Sequence, residues 1–377
     1  MLKKIKDNLK AFLRKKIIFF EKKKYKALIF DDGYSNLDLS QICEFLTIKD
    51  QIFIFCLLRA IFKSFFKFNF NKEKIIQIYV LEIIKKFKTK VIISHDLKKN
   101  IFNIENDGLK KIIYQLADHE EINKEILKKN IILNNISKSE IDYYLIKHKI
   151  FSQSLDFIKT NFIITGSIKN NEKKIESVAK KEFDIMIISQ FRPNIYNFYG
   201  NYRPKMMFNS DSALWFVSKV TSDYCDINDK KLAIALASHR DDKKKYNYKK
   251  NELKFYDSAC KNYTTKNIDS YNLAEKSKLI ITTYSTLGLE LLARGKKVLF
   301  IDPFYFLGGN YINMFTFEKE GSHWLAGNNK NKIFEKIDSL LKLKEEEWEK
   351  IQKNSPFLIE FDQGNKKLKN LVKEIIN

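Results

Sequence analysis

The densest run of groups able to do chemistry is TTYSTLGLELLARGKKVLFID, residues 282–302. A strand entering this segment ends at Thr283 or Tyr284, and a helix begins with Ser285 and Thr286 at its cap. Free backbone N–H groups and the positive end of the helix dipole make such a turn an anion site, and the two hydroxyls add donors for a phosphate. Gly288 lets a ligand or a strand approach the first turn closely. Glu290 follows four or five residues into the helix, where a carboxylate accepts ribose hydroxyls. The same residues also have a purely structural reading: any strand-to-helix crossover needs a cap, and a first-turn carboxylate is favoured by the dipole.

Arginine marks a second region. A planar guanidinium clamps phosphate or carboxylate bidentately, which lysine does less well. The chain has six arginines, and Arg192, Arg203 and Arg240 fall within residues 192–240. Lysine carries nearly all the remaining positive charge, beside an excess of Ile, Asn and Phe, as in the product of an AT-rich genome. The formal charge of +23 therefore argues only weakly for nucleic acid. Aromatic residues lie in apolar strands rather than interleaved with arginine, and no nucleic-acid-binding motif is present.

These groups need a scaffold. From Tyr25 onwards, short β-rich runs alternate with helical patterns, the mark of βαβ units and parallel sheets. Predicted strands are YKALIFDDG, KVIISHD, KKIIYQ from Lys110, IDYYLIK from Ile141 and NFIITGS from Asn161, with a helix from Lys72. The charged stretch 169–181 is the expected linker. A second alternation then starts at FDIMIISQF from Phe183. It continues through a helix over 212–220, the strand KLAIALASH, a helix over 246–260 and the unit from Leu279 to Pro303. A Gly-rich loop at 307–310, a helix pair over 331–353 and a last helix after Gly364 complete the pattern.

With 377 residues and 44% apolar content, two domains of ordinary size are expected. No apolar run reaches the ~20 residues of a bilayer-spanning helix; Ile52 to Phe66 is interrupted by Arg59 and Lys63. The N-terminus lacks the features of a signal peptide, so a cytoplasmic location is expected. Its Lys3, Lys4, Lys10, Arg14, Lys15 and Lys16 flank apolar residues, a pattern suited to peripheral contact with an anionic membrane. Cys43, Cys56, Cys225 and Cys260 form no CxxC pair, which argues against a zinc site or a disulfide framework.

The run from Ser285 to Asp302 resembles the nucleotide-sugar-binding β-α-β element of GT-B glycosyltransferases, in particular those of bacterial surface-carbohydrate and capsular polysaccharide synthesis. In that family a Ser-Thr-x-Gly-x-Glu-x-x-x-x-Gly-Lys-x-Val pattern follows a buried strand. The resemblance extends more loosely to KALIFD, ITGSIKNN, FDIMIISQFR and EKEGSHW, in the expected order along the chain. One departure is Gln115-Leu116-Ala117, where a Gln-x-Gly turn is expected.

The resemblance implies an α/β fold of two Rossmann-like parallel-sheet domains facing a cleft. These are an acceptor domain over 1–170, a donor domain over 181–355 and a helix over 356–377 returning to the first domain. It makes Tyr284, Ser285, Thr286, Gly288 and Glu290 donor contacts, with Gln190 and Arg192 at the end of the first donor-domain strand. His239 and Arg240 would bring a cation to the donor phosphates, and Glu290 and Arg240 are expected in an open cleft. His323 and Trp324 would stack on a base or sugar. The catalytic base would come from Asp31, Asp32, His95 or Asp96. Asp31-Asp32-Gly33 is similar to the acidic-acidic-Gly motif of some bacterial sialyltransferases. No metal and no cofactor is implied, and Asp31-Asp32 lacks the spacing of a DxD motif. The implied partners are a CMP-, UDP- or CDP-linked sugar and a glycan or lipid-linked acceptor, with no nucleic acid. The implied activity is metal-independent glycosyl transfer. A nucleotide-sugar epimerase of the same fold and a polyol-phosphate transferase are the enzymatic alternatives, and a basic nucleic-acid binder is the non-enzymatic one.

Overall fold

A computed structural model describes residues 16–30, 37–48, 51–66, 72–95, 104, 106–115, 141–149, 152, 155, 158–175, 178, 180–191, 204–237, 248–283, 285–304 and 319–377. The chain divides into two compact units, Met1–Lys173 with Glu360–Asn377, and Lys174–Ile359.

The first unit holds β1 (Lys16–Ile18), β2 (Ala27–Phe30), β3 (Phe45–Thr47), β4 (Gln51–Phe53), α1 (Ile54–Phe66), α2 (Lys72–Phe87) and β5 (Val91–His95). It continues with β6 (Lys110–Tyr114), β7 (Tyr143–Ile146), β8 (Asn161–Ile164) and α3 (Ile168–Glu172). Six strands form one wholly parallel sheet in the order β3-β2-β5-β6-β7-β8, and β1 pairs with β4 in a separate ribbon. Both faces of the sheet are covered, so its strands read as continuous apolar runs. Ala27, Ile29, Val91, Ile93 and Ile112 point to one face. Leu28 and Ile92 point to the other, where Cys56 of α1 and Val80, Ile83 and Ile84 of α2 meet them. This is the two-residue alternation of a pleated strand.

The first face is covered by a helix from the far end of the chain, which we number α10 (Lys366–Ile376). Its Leu368, Leu371, Val372 and Ile376 join the cluster with Ala27 and Val91, each contributing roughly 1.5–3 kcal/mol on full burial. A buried amide network ties this return in place. Asn171 Nδ2 donates to the Thr165 carbonyl (2.8 Å) and to Asn365 Oδ1 (2.9 Å), and Asn365 Nδ2 donates to the Ile168 carbonyl (3.0 Å). Gly166 lies at φ +74°, and a Cβ there would sit 1.9 Å from the Glu360 carbonyl oxygen, so only glycine admits the returning chain. The stretch expected as a linker from residue 169 thus begins inside a helix capped by Ser167, with Asn170 and Asn171 buried. The amides of Asn170 and Asn171 belong to the fold, while Lys169 and Lys174 are exposed and the division between the two units falls after Lys173.

The second unit holds β9 (Phe183–Ile188), α4 (Pro204–Ile227), β10 (Leu232–Ala235), α5 (Tyr248–Ala259), α6 (Ser270–Glu275), β11 (Ser277–Thr282), α7 (Thr286–Ala293) and β12 (Val298–Asp302). It ends with β13 (Glu320–Gly321), β14 (Trp324–Ala326), α8 (Lys330–Lys342) and α9 (Glu345–Lys353). Its sheet runs β10-β9-β11-β12-β14-β13, parallel except for the β13–β14 pair. Both sheets thus place the first long strand inside. From β9 the chain goes to β10 on one side, then crosses to β11 on the other side of β9. That reversal opens a crevice at the carboxyl ends of β9 and β11, where ligands of open α/β sheets sit. In the first unit the equivalent reversal lies between β2 and β5.

Candidate functional site

The crevice at β9 and β11 is built from short polar side chains. Thr283 directly follows β11 and donates its hydroxyl to Gln190 Oε1 at 2.6 Å, joining the two strand ends across the reversal. Ser285 caps α7, its Oγ accepting from the Leu287 N–H at 3.3 Å, while its own N–H donates to Thr282 Oγ1 at 3.2 Å. Thr286 opens the helix and is half-buried. Gly288 serves the packing of the helix: a Cβ there would lie 2.7 Å from Thr282 Cγ2 and 3.1 Å from Phe300, so the close approach is to the sheet.

Glu290 departs from the open setting expected of it. It is 6% exposed, and the Tyr271 hydroxyl of α6 donates to its Oε2 at 2.5 Å. Arg294 stacks over the Tyr271 ring at 5.7 Å. Burial, with the Glu290 charge beside it, holds the Tyr271 phenol protonated far above its ordinary range. The reason is local geometry: α6 immediately precedes β11 and its Tyr271 reaches the flank of α7.

A second glutamate organises the other side of the crevice and was not singled out from sequence. Glu252 of α5 is fully buried, and its Oε1 accepts from Ser189 Oγ (2.5 Å) and from the Ala237 N–H (2.7 Å). Ser189 follows β9 and Ala237 lies beyond β10, so one carboxylate fixes the exits of two adjacent strands. Tyr248, also on α5, donates its hydroxyl to the Phe191 carbonyl. A signal was present: Glu252 shares a helical stripe with buried Tyr256 and Ala259, at i, i+4 and i+7. A carboxylate on the apolar stripe of a helix requires buried donors.

Arg192, Arg203, His239, Arg240 and Tyr284 lie outside the described residues, as do Asp31, Asp32 and Asp96. In the first unit, β2 ends at Phe30, in register with Ser94, and β5 ends at His95. His95 is buried, its ring 6.0 Å from that of Tyr114. Asp31 and Asp96 each follow one of these two strand ends in sequence.

His323 is not available for stacking on a ligand. It is fully buried, its Nδ1 3.1 Å from the Val298 carbonyl and its Nε2 2.8 Å from Ser355 Oγ, and burial lowers its pKa to about 4. Phe300, Trp348 and Phe357 surround it. Trp324 lies edge-on to His323 and covers Gly321, where a Cβ would meet the indole at 2.1 Å. His323 is thus committed to the core at the β12–β14 edge, while Trp324 is half-buried against it. Among the described residues no group of His, Cys, Asp and Glu is placed to hold a metal ion. None of their helices is long and apolar enough to cross a membrane.

Comparison with known proteins agrees with this architecture. A family model described as "putative O-antigen biosynthesis protein" matches residues 123–376. No curated protein sequence matches the chain. Among solved structures, a "putative UDP-N-acetylglucosamine 2-epimerase" from Listeria monocytogenes is similar at 12% identity and TM-score 0.53, over 93% of this chain and 96% of that one. The UDP-GlcNAc 2-epimerase from Methanocaldococcus jannaschii is similar at 13% identity and TM-score 0.50, over 92% and 98%. S. aureus MnaA, solved with UDP, is similar at 14% identity and TM-score 0.50, over 95% and 96%. The fold is GT-B-like, with two Rossmann-like parallel-sheet domains.

Proposed function

The chain belongs to this family of O-antigen biosynthesis proteins, and on that premise we propose that it transfers a sugar from a nucleotide-linked donor to a cell-surface glycan or lipid-linked acceptor. The observation that carries the reading is the polar crevice at the β9–β11 reversal. There Gln190, Thr283 and the Ser285-capped N-terminus of α7 converge at the carboxyl edge of a parallel sheet. A helix N-terminus offers N–H donors and a positive dipole to a phosphate, and stabilises a leaving nucleoside diphosphate as charge builds on it. Arg192, His239, Arg240 and Tyr284 belong to the same proposed donor site through their places in sequence. Glu290 enters as the carboxylate that fixes α7 against α6 through Tyr271. Activation of the acceptor hydroxyl falls to an imidazole or carboxylate of the first unit, from Asp31, His95 or Asp96.

Thermal-shift titration with UDP, CMP, CDP and GDP tests the site, because a ligand of the folded state raises the melting temperature by mass action. UDP comes first, since the structures of like fold are named for UDP-linked sugar. Melting unchanged by any nucleotide removes the donor site. Incubating the bound nucleotide-sugar with and without a lipid-linked acceptor then separates the chemistries. Acceptor-dependent release of nucleotide supports transfer, and acceptor-independent inversion of the sugar supports epimerisation instead.

A further inference from the structure

The first unit carries a surface that its fold leaves open. In α1, Cys56, Ala60 and Ser64 form the buried stripe, at i, i+4 and i+8. At 100° per residue, Phe55, Leu58, Phe62 and Phe65 fall on the opposite side of the helix, and all are exposed, Phe62 by 63% and Phe65 by 59%. Such a helix is apolar on its outward face as well as its inward one, which an ordinary surface helix is not. The end of β1 extends the patch: Phe20 is 82% exposed and its ring lies 5.2 Å from that of Phe55, with exposed Phe19 beside it. Away from α1 and the β1 segment, the exposed large apolar side chains of the described residues are only Trp215 and Ile227. The apolar surface is therefore concentrated, and a concentrated patch marks an interaction site.

Charge selects the occupant. Arg59 and Lys63 line one edge of the outward face of α1, with side chains 72% and 52% exposed around their shared partner Glu82. At the other end, the chain passes from Phe20 through Glu21 to exposed Lys22, Lys23 and Lys24. A second copy docking through the same patch would set these cations against themselves. An anionic bilayer neutralises them while its acyl boundary receives the phenylalanines.

We propose that the outward face of α1 and the end of β1 dock the protein onto an anionic lipid surface, with phenylalanines in the interface and lysine and arginine at the headgroups. This inference stands independently of the donor site. It assigns the contact to the aromatic face of α1 and the residues after β1 rather than to the N-terminal cations.

The test is co-sedimentation of the full-length chain with vesicles of phosphatidylglycerol and phosphatidylethanolamine, beside vesicles of phosphatidylcholine alone. Binding to the anionic vesicles is expected, with at least about tenfold weaker binding to the neutral ones. The double variant Phe62→Ser/Phe65→Ser should lose at least about tenfold in affinity for anionic vesicles while its melting curve keeps the wild-type midpoint, since both side chains are exposed. Leu58→Ser/Phe65→Ser provides a second reading should the first variant fold poorly. Wild-type vesicle affinity in the folded variants overturns the proposal and leaves the N-terminal cations as the anchor. Absence of vesicle binding, with a dimer in sedimentation velocity that the variants dissociate, overturns it in favour of self-association.

Discussion

Two sheets of nearly the same order present different carboxyl edges. In the second unit the exits of β9, β10 and β11 are cross-tied by side chains, Glu252 to Ser189 and the Ala237 amide, and Thr283 to Gln190. In the first unit the corresponding strands end in Phe30 and a buried His95 packed near Tyr114. Topology favours a crevice in both, because the strand order reverses in both. Side chains then divide the work. The second edge is a hydrogen-bonded polar cradle, to which the proposed function gives the donor phosphate, and the first carries the buried His95, to which it gives proton transfer.

The largest test of that contrast is Glu252→Leu. It strips the acceptor from one buried and one part-buried donor, each costing roughly 1–3 kcal/mol, so a loss on the order of 2–6 kcal/mol is expected in denaturant titration. Nucleotide-dependent stabilisation should vanish with it. Stability lost without any change in nucleotide affinity would separate the carboxylate from the site.

Next in size is a pH effect. His323 has its folded-state pKa depressed from 6.5 to about 4 by burial, so it stabilises the fold above pH ~6.5 and loses that contribution as pH falls towards 4. The shift corresponds to roughly 3 kcal/mol. The stability gap between wild type and His323→Asn should therefore narrow by about that amount between pH 7 and pH 4. A constant gap would show that burial leaves the His323 pKa at its unfolded value.

For the first edge, His95→Asn should leave nucleotide titrations unchanged and lower turnover at least about a hundredfold, the smaller end of the range for a general base. Unchanged turnover would transfer the role to Asp31 or Asp96. The smallest expected effect is that of Thr283→Val, which removes the bridge to Gln190 but keeps the side-chain shape. About 1 kcal/mol of stability and a roughly tenfold loss of nucleotide affinity are expected, measured by melting and by calorimetric titration. Full nucleotide affinity in this variant would place the ligand away from the β9–β11 reversal.

What could be read from the sequence was whatever rests on local period and local chemistry. Strands such as VIISH and LIIT declare themselves as unbroken apolar runs, and the alternation of runs with helical stripes is enough for a doubly wound α/β fold. The cap at Ser285 was legible for the same reason, since a hydroxyl preceding a helix serves the backbone within two residues of itself. Short elements were not legible: β1, β3, β4 and α6 span three to six residues, too few for a period to show.

Tertiary structure alone decided which side chains meet across long separations. Glu252 finds Ser189 at 63 residues' distance and Asn171 finds Asn365 at 194, contacts set by strand order and by the return of α10 rather than by local pattern. His323 and Glu290, both read as ligand contacts, became buried partners of Ser355 and Tyr271. A residue's type states what it can bind, but burial and the nearest donor decide what it does bind. The run from Ile52 to Phe66 shows the same division. Its composition excluded a bilayer-spanning helix, while only the burial of Cys56, Ala60 and Ser64 revealed that its phenylalanines face outwards.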